Sequence, residues 1–163
     1  MTQTFTVEDF AHARAKSRLL YHLTDAAPDG IEMGIGVSLP LNAAGTQRRQ
    51  PDIVVFSTVD APQPWLLRPP LLVVEVLSPA STFLDLVTKR REYAESGIPS
   101  YMVVNPAREN PGAIELRLDG GEYRDAAQAE GEKVLETVLP FPVRFVPHWL
   151  VADGPWRACI SAE

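Results

Sequence analysis

Between Ile31 and Leu41 every odd position is apolar, while the even positions carry Glu32, Gly34, Gly36, Ser38 and Pro40. That period of two predicts one half-buried strand along the segment. Ile53 to Phe56 and Leu71 to Leu77 are instead short, nearly unbroken apolar runs, which predict central strands covered on both faces. The polar, glycine-containing stretch from Asn42 to Gln50 reads as a hairpin-like link into the first of them. The prolines of Ala61-Pro62-Gln63-Pro64 and Arg68-Pro69-Pro70 make the link between the two irregular.

Helical signals flank these strands. Thr6, followed by Asp9, can cap a first helix whose stripe is Phe10, Leu19, Leu20 and Leu23 and whose stop is Pro28-Asp29-Gly30. A second helix is predicted from about Phe83 to Ser96, with Thr82 as N-cap, Asp85 at the capping-box position, and Gly97 followed by Pro99 beyond its end. Tyr101 to Val104 is then a buried strand, and a right-handed crossover lays it parallel to the Leu71 to Leu77 strand. Ile114 to Leu118, Tyr123 to Ala126 across Asp119-Gly120-Gly121, and Lys133 to Val138 read as a C-terminal antiparallel meander. The element order predicts an α/β (α+β) fold, a mixed sheet flanked by helices, in a single domain over residues 1–163.

Composition narrows the function. At 163 residues, 45% of them hydrophobic, the chain is long enough for one core and too short for two. No apolar run approaches the roughly 20 residues that span a bilayer, and MTQTFTVEDFAHARAK lacks a charged-then-apolar leader, so a soluble cytoplasmic protein without a membrane partner is expected. Cys159 is the single cysteine, which excludes an internal disulfide and a thiolate metal cluster. Fifteen Lys and Arg against 21 Asp and Glu leave a net charge of −6. Most of such a surface repels nucleic acid, so a nucleic-acid substrate has to be met at a local basic patch.

One residue breaks the most apolar run. In Leu71-Leu72-Val73-Val74-Glu75-Val76-Leu77 a carboxylate sits among aliphatic side chains, where burial demands a cation or a donor. Asp52 stands where the polar Arg48-Arg49-Gln50-Pro51 segment enters the preceding strand, and Lys89 lies on the second helix at the margin of an apolar arc of Phe83, Leu86, Val87, Tyr93 and Ala94. Two acids and a lysine on consecutive core elements can hold a hard divalent cation and balance the charge of an attacked phosphate. The plainer reading pairs Lys89 with Asp85 at i, i+4 on an exposed face, worth about 0.3–0.5 kcal/mol. Arg90 falls inside the apolar arc, where its stem can snorkel or its charge can serve the site. His12, His22 and His148 lack metal-ligand spacing, and no nucleophile elbow, P-loop or dinucleotide fingerprint occurs. Ser78 and Ser81 read as cap and turn residues. Trp65, Trp149 and Trp156 are scattered and, with the small size and sheet edges, lead to the expectation of a homodimer.

Pro51-Asp52, the strand LLVVEVLSP, and Asp85 and Lys89 in DLVTKRREYAESGIPSYMVVNP together resemble the Uma-two-like restriction-endonuclease family of the PD-(D/E)xK nuclease superfamily. The resemblance covers roughly Ile31 to Leu150 and is densest from Leu71 to Pro106. It implies a restriction-endonuclease-like fold, magnesium (manganese as the alternative) held by Asp52 and Glu75 with the Val76 carbonyl as a further ligand, and a catalytic set of Asp52, Glu75 and Lys89. The usual superfamily pattern puts lysine two residues after the glutamate. That position is Leu77 here, and the family's relocated helical lysine corresponds to Lys89. An N-terminal hairpin with a Tyr-Glu-Leu-type motif, usual in the family, is missing, since Phe5-Thr6-Val7-Glu8-Asp9-Phe10 leads straight into Ala11-His12-Ala13-Arg14. Three readings stay open: a magnesium-dependent endonuclease acting on nucleic acid, DNA foremost; an inactive nuclease-fold module binding nucleic acid or protein through Arg14, Lys16, Arg18, Arg48 and Arg49; and a metal-free domain in which Glu75 pairs with Lys89.

Overall fold

The computed structural model describes residues 9–60, 66, 68–81 and 83–157, with the side chains of Leu84 and Asp85 left out. The expected cap residues Thr6 and Thr82, the Asp85 side chain, Trp65 and Cys159 lie outside the described residues. Helix α1 spans Phe10–Ala26, and its N-cap is Asp9, whose carboxylate accepts the His12 N–H at 2.8 Å. Ala15, Leu19 and Leu23 form its buried side, with His12 and His22 beside them.

The chain then alternates between sheet and connection: β1 Ile31–Gly34, β2 Leu39–Pro40, β3 Arg48–Arg49, β4 Ile53–Ser57, a 3₁₀ turn, β5 Leu72–Val76, α2 Phe83–Glu95, β6 Ser100–Asn105, β7 Gly112–Asp119, β8 Glu122–Glu130, β9 Leu135–Thr137, β10 Val143–Phe145 and α3 Pro147–Val151. Six strands form one mixed sheet in the order β1-β4-β5-β6-β7-β8. Only β5 and β6 are parallel in it, joined by α2 as the sequence predicts, and the other neighbours are antiparallel.

Alternation along the central strands sorts the core into two layers. Ile53, Val55, Leu72 and Val74 face α1, α3 and the small β9–β10 sheet, whereas Val54 and Val73 join Tyr93, Ile98, Tyr101 and Tyr123 on the α2 side. This is the mixed sheet flanked by helices that the sequence predicts.

Three local expectations are corrected. The period-two segment from Ile31 to Leu41 is not one strand. It breaks after Gly34, where a Cβ would sit 2.6 Å from the Val37 side chain, and at Gly36, whose φ is +70°. β2 then pairs with β3 as a separate hairpin, and Ile35 is left 59% exposed. The last strand of the expected meander, β9, pairs with β10 rather than extending β8, because the chain leaves the sheet after Glu130 and folds over the α1 layer. On α2, Phe83 and Val87 face solvent, and the buried side centres on Glu92 and Tyr93. Glu92 is drawn inward by a two-pronged bond from Arg49, at 2.7 and 3.0 Å, and a third from Gln47 at 2.9 Å, which tie α2 to the β2–β3 hairpin. Arg90 resolves its own conflict: its guanidinium donates to the Tyr123 carbonyl at 2.7 Å.

Candidate active site

Register delivers the two acids. Ile53 of β4 lies opposite Val74 of β5, so one further step sets Asp52 opposite Glu75. Opposed residues of an antiparallel pair point to the same face, so both carboxylates emerge together at the end of the sheet. Glu75 is two residues beyond Val73 and therefore turns toward α2, where Lys89 and Tyr93 stand one helical turn apart.

The Tyr93 hydroxyl donates to Glu75 Oε1 at 2.6 Å, and Lys89 Nζ lies 3.4 Å from Oε2. The first is a short, charge-assisted bond. The second is an ion contact longer than such a bond. Burial lifts the Glu75 carboxyl above the ordinary carboxylate range; Lys89 and the Tyr93 hydroxyl oppose that rise, and the neighbouring Asp52 charge adds to it. Burial and the Glu75 charge likewise push the Tyr93 phenol far up, which keeps it a donor.

Asp52 is held differently. The Val76 N–H donates to its Oδ2 at 2.8 Å, His12 Nε2 lies 3.4 Å from the same oxygen, and Lys16 Nζ lies 3.5 Å from Oδ1. The main-chain bond fixes the Asp52 rotamer against β5. Asp52, Glu75, Val76, Lys89, His12 and Gln50 all border one open cavity of about 600 Å3, and the Ser78 to Ser81 turn forms its far rim. Those serines behave as turn residues: the Ser78 N–H donates to Ser81 Oγ at 3.1 Å.

The structure thus brings Asp52, Glu75, Val76 and Lys89 to one cavity. It adds His12 at the cavity and Lys16 beside Asp52, neither of which sequence reading assigned to the site. Their i, i+4 spacing was visible, but helix spacing alone does not say which strand the face meets. The other candidate basic residues lie elsewhere. Arg14 and Arg18 bind carbonyls at the end of α3, Arg48 bonds Ser38, and Arg49 bonds Glu92.

Among the described residues no group of three or more His, Cys, Asp or Glu side chains is placed to hold a metal. Two carboxylates beside an open cavity nevertheless fit magnesium, which is commonly held by one or two carboxylates with waters and substrate phosphate. Both are hard oxygen donors; burial is the main cause of the raised Glu75 carboxyl, and the smaller contribution from the Asp52 charge is the one a shared cation relieves.

The fold is a six-stranded mixed sheet between helices, with Asp52, Glu75 and Lys89 at one cavity. The chain belongs to the Uma2 family, described as "Putative restriction endonuclease", whose model matches residues 4–150. Among solved structures it is similar to a "putative nuclease belonging to DUF820" from Anabaena variabilis, with a TM-score of 0.60, 13% identity, and coverage of 78% of this chain and 70% of that one. At that identity the likeness speaks for the fold. No curated protein matches the sequence. No helix among the described residues is long and apolar enough to cross a membrane.

Proposed function

We propose that this protein is a divalent-metal-dependent endonuclease that hydrolyses nucleic-acid phosphodiesters, with DNA as the foremost substrate. The observation that carries this reading is the convergence of Asp52 and Glu75 from paired strands onto one cavity, with Lys89 in contact with Glu75. Asp52 and Glu75, with the Val76 carbonyl, are the groups to hold magnesium or manganese. When bound, such an ion polarises the phosphate and makes water a stronger nucleophile.

The chain's own groups orient and balance charge. Tyr93 fixes the Glu75 carboxylate, and the Val76 N–H fixes that of Asp52. Lys89, at 3.4 Å from Glu75, is positioned to meet charge that builds on the attacked phosphate. Lys16, 3.5 Å from Asp52, is a second cation next to the carboxylates. The family description supports a nuclease-like function.

The same reading takes residues 1–163 as one cytoplasmic domain working as a homodimer, so that two sites can address two strands. Cleavage of mixed DNA and RNA by wild type in magnesium and in manganese, beside Glu75→Ala, tests the proposal. Metal-dependent cleavage lost in the variant supports it, and cleavage that survives in the variant refutes the assignment of Glu75.

A second reading has its own observation. Each carboxylate already faces a cation, Asp52 with Lys16 and Glu75 with Lys89. A nuclease fold that binds without turnover would have the same contacts, and the cleavage assay separates the two.

A further inference from the structure

The face of α1 turned away from the sheet carries a stripe of its own. Phe10, Arg14, Arg18 and Tyr21 recur at spacings of four, four and three, which sets them on one side of the helix. His12 and Lys16, which serve the carboxylate cavity, fall on the other side. Phe10 is 73% exposed and Tyr21 38% exposed. The Arg14 guanidinium lies 4.7 Å from the Phe10 ring centre, and Arg18 and Arg157 lie 5.2 and 4.9 Å from that of Trp156. Guanidinium groups thus alternate with aromatic faces over about 16 Å of helix.

The charge there is unbalanced. Asp153 pairs with Arg14 at 3.0 Å and with Arg108 at 3.8 Å, and it also acts on Arg18. One carboxylate therefore serves several guanidinium groups. Arg14 and Arg18 bond their remaining partners through neutral carbonyls of Val151, Trp149 and Ala152, which cancel no charge. Burial first, and the neighbouring Arg14 charge second, depress the Arg18 guanidinium, while Asp153 opposes them. Among the described residues the guanidinium groups of Arg14, Arg18, Arg108 and Arg157 stand against the carboxylates of Asp153 and of Asp25, the latter on the same side of α1, a local excess of positive charge in a chain of net charge −6.

The stripe also connects to the proposed catalytic cavity. Arg108 borders a second hollow of about 310 Å3 at the start of α1, and that hollow shares Asp9, Leu77, Ser78, Pro79 and Ser81 with the carboxylate cavity. A chain leaving the carboxylates over the Ser78 to Ser81 rim meets Arg108 next and Arg14 with Phe10 after it.

We infer that this stripe is a binding track for a single-stranded segment of nucleic acid flanking the phosphodiester that is cut. Arginines meet successive phosphates, and the exposed rings of Phe10 and Tyr21 offer faces to unstacked bases, which a duplex keeps inside its stack. The inference rests on the nuclease reading of the adjoining cavity.

The test is fluorescence polarisation of a labelled oligothymidylate, and of a duplex of equal length, in EDTA over a salt series. The absence of metal makes this measurement independent of cleavage, and cleavage of the same oligonucleotide in magnesium reports separately on the carboxylate cavity. The variants are the exposed Arg108→Glu/Arg157→Glu pair and Phe10→Ala, each checked by its melting curve. Wild type is expected to bind the single strand at least tenfold more tightly than the duplex. The paired variant should weaken that binding at least tenfold and flatten the salt slope by about 1.4, the value for two lost contacts on a single strand. Phe10→Ala should weaken it about fivefold with the slope unchanged, since stacking carries no counterion term. Single-strand binding that these variants leave intact, or equal binding of duplex, overturns the inference.

Discussion

Replacing Glu75 by Gln separates a carboxylate kept for function from one kept for stability. Glu75 is 7% exposed near the end of β5, and its folded-state pKa is raised, so the ionised form costs free energy in the fold. A raised carboxyl contributes stability that is fully present below its unfolded pKa and lost as pH rises through the folded value. Above that window Gln removes the penalty. Its amide oxygen can still accept from the Tyr93 hydroxyl at the position of Oε1, at a loss of about 1 kcal/mol for exchanging a charged acceptor for a neutral one. Lys89 loses its partner at 3.4 Å, but its side chain is 21% exposed and can rehydrate. The terms oppose one another, so the net change is expected within about 1.5 kcal/mol of zero, a shift below roughly 6 °C in a domain of this size. A buried ion pair kept for structure would instead cost about 3–5 kcal/mol when one partner is removed, or roughly 6–20 °C. Thermal melts of wild type and Glu75→Gln, followed by circular dichroism with and without magnesium, decide the matter. The expected result is a near-unchanged Tm in metal-free buffer and a magnesium-induced rise in wild type that the variant lacks. A fall beyond about 10 °C in the variant, with no magnesium effect on wild type, refutes the reasoning.

Lys89→Met should lower metal-dependent cleavage by about 100-fold or more while shifting Tm only slightly; a slowing of less than tenfold in single-turnover assays would remove Lys89 from the catalytic set. Arg49→Ala breaks the two-pronged bond to Glu92 and should cost about 2 kcal/mol near neutral pH in chemical denaturation. The Arg49 bond holds the Glu92 carboxyl below the ordinary range, so this stabilisation is present above the unfolded pKa and is lost as pH falls through the folded value; the gap between wild type and variant should close in acid. His22, stacked on Phe145 with a centroid distance of 6.4 Å, has its pKa pushed down to about 4 by burial. The unfolded chain therefore takes up a proton first as pH drops from 6.5 toward 4, and His22→Leu should flatten the resulting loss of up to roughly 3 kcal/mol. An NMR titration of His22 with a midpoint near 6.5 would contradict this.

What the sequence makes legible follows from the range of the interactions involved. β4, β5, α2 and β6 carry their own patterns, and a short right-handed crossover leaves little freedom in how they assemble, so the nearness of Asp52, Glu75 and Lys89 follows from local signals. Where a non-local partner decides, the pattern misleads. The break after Gly34 needs the chain to fold back on Val37, and alternation continues through it undisturbed. α2 looks apolar along Phe83 and Val87, yet Arg49 and Glu75 reward the polar side of the helix with partners and turn it inward. β10 and α3 are hidden by the prolines around them; β10 pairs with the nearby β9, but α3 packs on α1, which is remote in the chain. His12 and Lys16 reach Asp52 across about 40 positions of sequence, a contact that only the docking of α1 on the sheet creates.

The central claim, that Asp52 and Glu75 share one divalent cation, is tested most directly by crystals grown with manganese and a phosphorothioate oligonucleotide and examined by anomalous scattering. The substrate phosphate matters, because a pair of carboxylates binds such ions weakly by itself. The expected map has one manganese peak within direct bonding distance of both carboxylates, with a phosphate oxygen on its open side and Lys89 beside that phosphate. Manganese found elsewhere on the protein, with Lys16 and Lys89 still seated on Asp52 and Glu75 and no ion between them, would contradict the account.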